Sequence, residues 1–120
     1  MQVTRLFTGS DGTSQFEDLI ISLERDGVEQ FASLRGLNAM ILNETEAGHH
    51  YPWHNAPQRQ WVITLQGEIE VQLRDGTSRK FGPGSIILAE DLPGSGHATK
   101  VTSSEPWRCA YLPIDGEIRA

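Results

Sequence analysis

The stretch Gln60-Trp61-Val62-Ile63-Thr64-Leu65-Gln66-Gly67-Glu68-Ile69-Glu70-Val71-Gln72-Leu73-Arg74-Asp75-Gly76 decides the fold. It holds two extended runs, Gln60 to Leu65 and Glu68 to Arg74, separated by Gln66-Gly67. In the second run Ile69, Val71 and Leu73 alternate with Glu68, Glu70, Gln72 and Arg74, a period of two that marks a strand with one wet face. Asp75-Gly76 predicts a hairpin turn, because both residue types tolerate positive φ. Working outward, Ser78 to Phe81 returns along the hairpin, Gly82-Pro83-Gly84 makes a tight corner, and Ser85 to Ala89 is a short apolar strand. Pro93-Gly94-Ser95-Gly96 is a loop, followed by strands near His97 to Thr102 and Trp107 to Leu112. Upstream, Leu37 to Leu42 is an apolar run with Asn38 inside it. Gln15 to Ile20 suits one short helical turn, but no segment sustains a 3.6-residue period over three turns. Eight or more short strands with regular turn signals predict one all-β domain over residues 1–120, built as a sandwich or barrel.

A chain of 120 residues suits a single core, burying about two-thirds of its extended surface. Ten Lys and Arg against sixteen Asp and Glu leave a net charge of −6. That balance, without any basic run, argues against nucleic acid and against an anionic membrane surface as partners. No apolar stretch is long enough for a transmembrane helix, and Met1-Gln2-Val3-Thr4-Arg5 lacks a signal pattern, so a cytoplasmic location is expected. The lone cysteine, Cys109, excludes an internal disulfide and any Cys-rich zinc site, and its apolar context predicts an inert buried thiol.

The Gln60 to Leu65 strand is apolar on both faces, with Trp61, Ile63 and Leu65 on one and Val62 and Thr64 on the other. Two readings of its outer face stand open. Either a second copy covers it, giving a homodimer, or the N-terminal segment folds over it.

All four histidines lie at two places: His49, His50 and His54 before the Gln60 strand, and His97 after the Pro-Gly loop. Gly48, five residues, His54, then Ala56, then Gln60, six residues and Gly67 form the first block. Gly84 and His97, with twelve residues between them, bound the second. These blocks resemble the two histidine motifs of the cupins, which implies a single-domain jelly-roll β-barrel with its core at about residues 37–112. In the family's full pattern three imidazoles and one carboxylate hold a divalent ion. Here Ala56 stands at the second histidine, Gln60 at the carboxylate, and Val101 where the second motif has Asn; the second motif is also two residues longer.

The resemblance places His54, Gln60 and His97 in the barrel, as ligands of a metal or as hydrogen-bonding pocket residues. His50 and Trp53 are further candidate binding residues, and completing a metal set requires His50, Glu46 or Asp91 to swing in. Strand alternation puts one of Glu90 and Asp91 near the mouth beside His97, suited to proton transfer; capping of the Pro-Gly loop is the plainer role. Glu90, Asp91 and His97 are therefore the catalytic candidates. Arg59 points opposite to Gln60, as a surface or dimer charge. The leading expectation is a small-molecule-binding cupin with a degraded metal site. The alternative is a lyase, isomerase or dioxygenase with one zinc, nickel, manganese or iron on His54, Gln60 and His97. A metal-free acid–base enzyme using His97 with a carboxylate is a third reading. The sequence shows no Gly-rich phosphate loop or Gly-x-Ser-x-Gly elbow. Nor is any stretch long or helical enough for a helix-turn-helix, so a regulatory role would need a partner chain.

Overall fold

The structure, a computed structural model, describes residues 1–115. Twelve strands follow in order: β1 (Gln2–Thr8), β2 (Ser14–Ile20), β3 (Glu24–Asp26), β4 (Glu29–Phe31), β5 (Ile41–Thr45), β6 (His50–His54), β7 (Gln60–Gln66), β8 (Ile69–Leu73), β9 (Ser78–Phe81), β10 (Ile86–Glu90), β11 (His97–Val101) and β12 (Trp107–Pro113). No helix occurs among the described residues. One sheet runs β2-β1-β10-β7-β12-β5, a second runs β6-β11-β8-β9, and β3 and β4 pair only with each other. The all-β expectation holds. The ladders of the described residues form separate sheets and do not close into a barrel.

The alternation in β8 is realised as buried Ile69, Val71 and Leu73 separated by half-buried Glu70 and Gln72. These side chains meet Leu6, Val62, Ile87, Ala89, Trp107 and Cys109 from the six-stranded sheet in one core, so the two sheets pack face to face. The turn after β8 departs from expectation: Gly76 alone takes positive φ, at 91°, and Asp75 does not. Instead the Asp75 carboxylate accepts the Thr77 amide at 2.8 Å, closing a local Asx turn.

Gln15 to Ile20 is strand rather than a helical turn. All of β2 pairs antiparallel with β1, from Gln2↔Ile20 to Thr8↔Ser14, and Phe16 packs against the core near Phe81. Tertiary pairing overrides a weak local preference. The apolar run at Leu37 is also displaced: Leu37 makes only an isolated bridge to Ile114, and the strand begins at Ile41.

The outer face of β7 has a cover of its own. Trp61, Leu88, Val3, Ile21 and Ile114 form a second core, joined by Leu19, Leu23 and Leu34 from the N-terminal segment. The N-terminal segment thus covers the Trp61 end of the face. Leu65 at 55% and Leu42 at 68% exposure stay open beyond it.

Candidate functional site

Between the sheets lies a cavity of about 400 Å³, within the range of small-molecule pockets. Its walls are Leu6, Ile41, Ala56, Pro57, Val62, Ile69, Val71, Ile87, Ala89 and Trp107, and its polar groups come from Tyr51, His54, Gln58, Gln60, His97, Thr99 and Tyr111. Among the described residues no Asp, Glu, Lys or Arg side chain lines it.

The strands place these groups for local reasons. Gln60 opens β7 opposite Ala89 of β10 and is 6% exposed. His97 opens β11 opposite His54, and their ring centroids lie 4.5 Å apart. The β6–β11 ladder then slips: His97 faces His54, but Thr99 faces Tyr51. Three steps on β6 against two on β11 make a bulge, which reverses the side-chain alternation. Both Tyr51 and His54 therefore reach the cavity. Pro52, which has no amide to donate, suits the irregular position. Gly96, at φ 74°, permits the close approach of the two strands; a Cβ there would sit 2.5 Å from the His54 carbonyl oxygen.

Each histidine has one ring nitrogen committed. His97 Nδ1 lies 2.6 Å from Asp91 Oδ2, and His54 Nδ1 lies 2.7 Å from the Pro52 carbonyl oxygen. Both partners are acceptors, so both Nδ1 atoms carry the proton and donate. In the neutral imidazoles the Nε2 atoms then present lone pairs. Among the described residues neither Nε2 nor the Gln60 amide has a hydrogen-bond partner. Nor are the His97 Nε2 and Gln60 amide atoms sealed from solvent, as Asp91 Oδ1 is.

Asp91 is the residue that strand alternation aimed at His97. It is 0% exposed and its Oδ2 also accepts the Ser14 hydroxyl at 2.7 Å. The capping role is taken by Asn55, whose Nδ2 meets the carbonyl oxygens of Asp91, Pro93 and Gly94 at 3.0–3.2 Å. Glu90 points the other way, where Arg5 and Arg59 bind its two oxygens, Arg59 at 2.7 Å. Arg59 is thus half of an internal ion pair rather than a free surface charge, and Glu90 is removed from the cavity.

Two further candidates lie outside the cavity lining. His50 is exposed opposite Lys100, and Trp53 is 40% exposed beneath the Arg74 guanidinium, 3.9 Å from its ring centroid. Sequence reasoning missed Ser14, Tyr51, Thr99 and Tyr111. Tyr51 donates or accepts a 2.6 Å bond with Thr45 Oγ1. Burial pushes the Tyr111 phenol well above its ordinary value, with Cys109 as the next cause. The Cys109 thiol is likewise pushed up by burial, so the expectation of an unreactive thiol fits its surroundings.

The family pattern implies a divalent ion, and the donors present do not fit a tightly held one. Two neutral imidazoles and an amide are on hand, the third imidazole position is Ala56, and the nearby carboxylate of Asp91 is turned to the far nitrogen of His97. Among the described residues no three His, Cys, Asp or Glu side chains gather in metal-binding geometry.

A family model for the AraC-like ligand binding domain matches residues 40–120. No curated protein matches the chain. Among solved structures, the cupin domain of Schizosaccharomyces pombe Cnp3 is similar over 96% of this chain and 83% of its own, at 21% identity and a TM-score of 0.53. A conserved Streptococcus pyogenes protein of unknown function, SPY1581, is similar over 69% of this chain and 68% of its own, at 17% identity and a TM-score of 0.47. The cavity between two packed sheets and the match over residues 40–120 agree: the chain belongs to the AraC-like ligand-binding domains and has a cupin-type fold.

Proposed function

We propose that this domain binds a small organic molecule in the cavity between its sheets, with His54, Gln60 and His97 as the polar contacts. The observation that carries the reading is a largely apolar cavity of about 400 Å³ in which His54 Nε2, His97 Nε2 and the Gln60 amide have no hydrogen-bond partner among the described residues. Buried polar groups are normally paired, so a cluster left open to a cavity marks a place where a ligand completes the bonding. A screen of neutral fragments by ligand-observed NMR tests this. Hits that disappear on filling the cavity by Ala89→Phe support it; hits indifferent to that change, or none, oppose it.

One observation favours a second reading, in which His54, Gln60 and His97 hold a divalent transition metal. A histidine whose Nδ1 is hydrogen-bonded to a carboxylate or carbonyl, with Nε2 free, is the usual posture of a metal ligand. The missing anionic donor weighs against it. Elemental analysis of protein purified without an affinity tag, before and after chelation, separates the two: near-stoichiometric metal supports the second reading and an empty, folded protein the first.

The proposal includes a jelly-roll arrangement of the two sheets around this cavity. A homodimer across the open face around Leu42 and Leu65 remains part of the proposal, as does a cytoplasmic setting.

A further inference from the structure

From the hydrogen-bonding state of the cavity we infer that its ligand is an uncharged, mostly apolar molecule bearing a hydroxyl group, an alcohol or a phenol. The hydroxyl points at the His54–His97 pair. This rests on the reading of the cavity as a binding site and specifies its occupant.

The first argument is the direction of donation. Asp91 Oδ2 and the Pro52 carbonyl each take the Nδ1 proton of one histidine, so the ring atoms left for a ligand are two Nε2 acceptors, on rings 4.5 Å apart. An acceptor pair selects a group that brings its own proton. An ether or ketone oxygen offers only lone pairs and brings neither Nε2 a donor, so such a ligand displaces water from these atoms without replacing its hydrogen bond. The Gln60 amide borders the same cavity and supplies N–H donors. A hydroxyl answers both, donating to an imidazole and accepting from an amide.

The second argument is charge. Among the described residues no lysine or arginine lines the cavity, and the Asp91 carboxylate stands directly behind His97. A carboxylate or phosphate ligand would be desolvated without a permanent cation to meet it. The third is the balance of the walls. Ten of the lining residues are apolar and the open hydrogen-bonding groups gather around the histidines, so a polyol such as a sugar would bury most of its hydroxyls against hydrocarbon.

Ser14 and Asp91 act as positioning residues in this scheme. Asp91 touches only the outer nitrogen of His97, and Ser14 shares the same carboxylate oxygen. Together they hold the tautomer that makes Nε2 an acceptor.

The test uses three probes of one shape: para-propylphenol, its methyl ether para-propylanisole, and para-propylbenzoate, with arabinose as the polyol. Affinities are read by titration calorimetry and the site by amide shifts of isotope-labelled protein. The expected order is phenol over ether by about tenfold, one hydrogen bond's worth, with benzoate and arabinose weaker than the ether. In His97→Ala the phenol should lose its advantage over the ether. Should the ether equal the phenol in the cavity, the hydroxyl inference fails and the binding reading stands. Tightest binding by benzoate or arabinose likewise overturns the inference alone. If no probe shifts the amides of residues lining the cavity, the binding reading fails, and the inference falls with it.

Discussion

Oδ2 of Asp91 lies 2.6 Å from Nδ1 of His97, and the carboxylate that makes this bond has no exposed surface at all. The pair joins two ends of one loop, Asp91 just past β10 and His97 at the start of β11. Ser14 of β2 adds a third arm from the far edge of the six-stranded sheet. The orientation of His97 is therefore a property of the whole fold rather than of a mobile loop.

Removing the hub should cost more than removing an arm. Asp91→Ala leaves the His97 N–H and the Ser14 hydroxyl unpaired inside the protein at about 1–3 kcal/mol each, and a loss of about 4 kcal/mol is expected. Ser14→Ala removes one bond to a charged acceptor, about 2 kcal/mol. Because both act through the same oxygen, the double variant should be little worse than Asp91→Ala alone. Urea denaturation of the three variants checks this, and full additivity would show that Ser14 and Asp91 are not coupled.

Two glycines with similar backbone angles should respond differently to alanine. Gly76 has φ 91° and open space around it, so Gly76→Ala carries only the left-handed penalty of about 1 kcal/mol. Gly96→Ala adds a Cβ at 2.5 Å from the His54 carbonyl oxygen, which forces β6 and β11 apart. A loss of about 3 kcal/mol is expected, together with altered imidazole shifts for both His54 and His97. Equal melting temperatures for the two variants would contradict the close strand approach.

Alkaline pH should weaken the fold through Cys109 and Tyr111. Burial raises both groups above their ordinary values of 9.0 and 10.0. The unfolded chain then releases these protons more readily than the folded one. Their contribution is complete below pH 9.0 and is lost as the pH climbs through the ordinary thiol value and beyond. Thermal melts from neutral to alkaline pH should fall less steeply in Cys109→Ala with Tyr111→Phe than in the parent. A thiol reagent should also reach Cys109 only on unfolding. Rapid labelling of the native protein would refute the burial argument.

Open apolar surface around Leu42 and Leu65 predicts self-association. Light scattering at micromolar concentration should give twice the mass of the chain, and Leu42→Glu should shift it toward the monomer. A monomer in the parent protein would remove the second copy from the account.

The sequence was most legible where periodicity was strict. β8 appears where Ile69, Val71 and Leu73 alternate with polar residues, and β7 and β9 to β12 fall within a few residues of their expected runs. It was least legible where partners are distant. Nothing local says that Gln15 to Ile20 is an edge strand on β1, or that Ser14 meets a carboxylate 77 positions away. The spacing of His54 and His97 singled out two side chains that the fold brings together at one cavity, and the alternation of β10 narrowed Glu90 and Asp91 to one inward carboxylate. Which of the two it was depended on the arginines of β1 and of the segment before β7 claiming Glu90. Tyr51 escaped notice because a bulge, invisible in a pattern of two, turned it inward beside His54. The β12 residue Tyr111 was readable only with the register against β7 known.

The central claim is that the cavity holding His54, Gln60 and His97 is a binding site for an uncharged organic molecule. Amide-shift mapping of the labelled protein with para-propylphenol tests it most directly. The account predicts saturable shifts confined to Gln60, Ala89, His97, Thr99 and their neighbours, abolished by Ala89→Phe. Shifts gathered instead on the exposed strip around Leu42 and Leu65, or no shifts at millimolar probe, would contradict it.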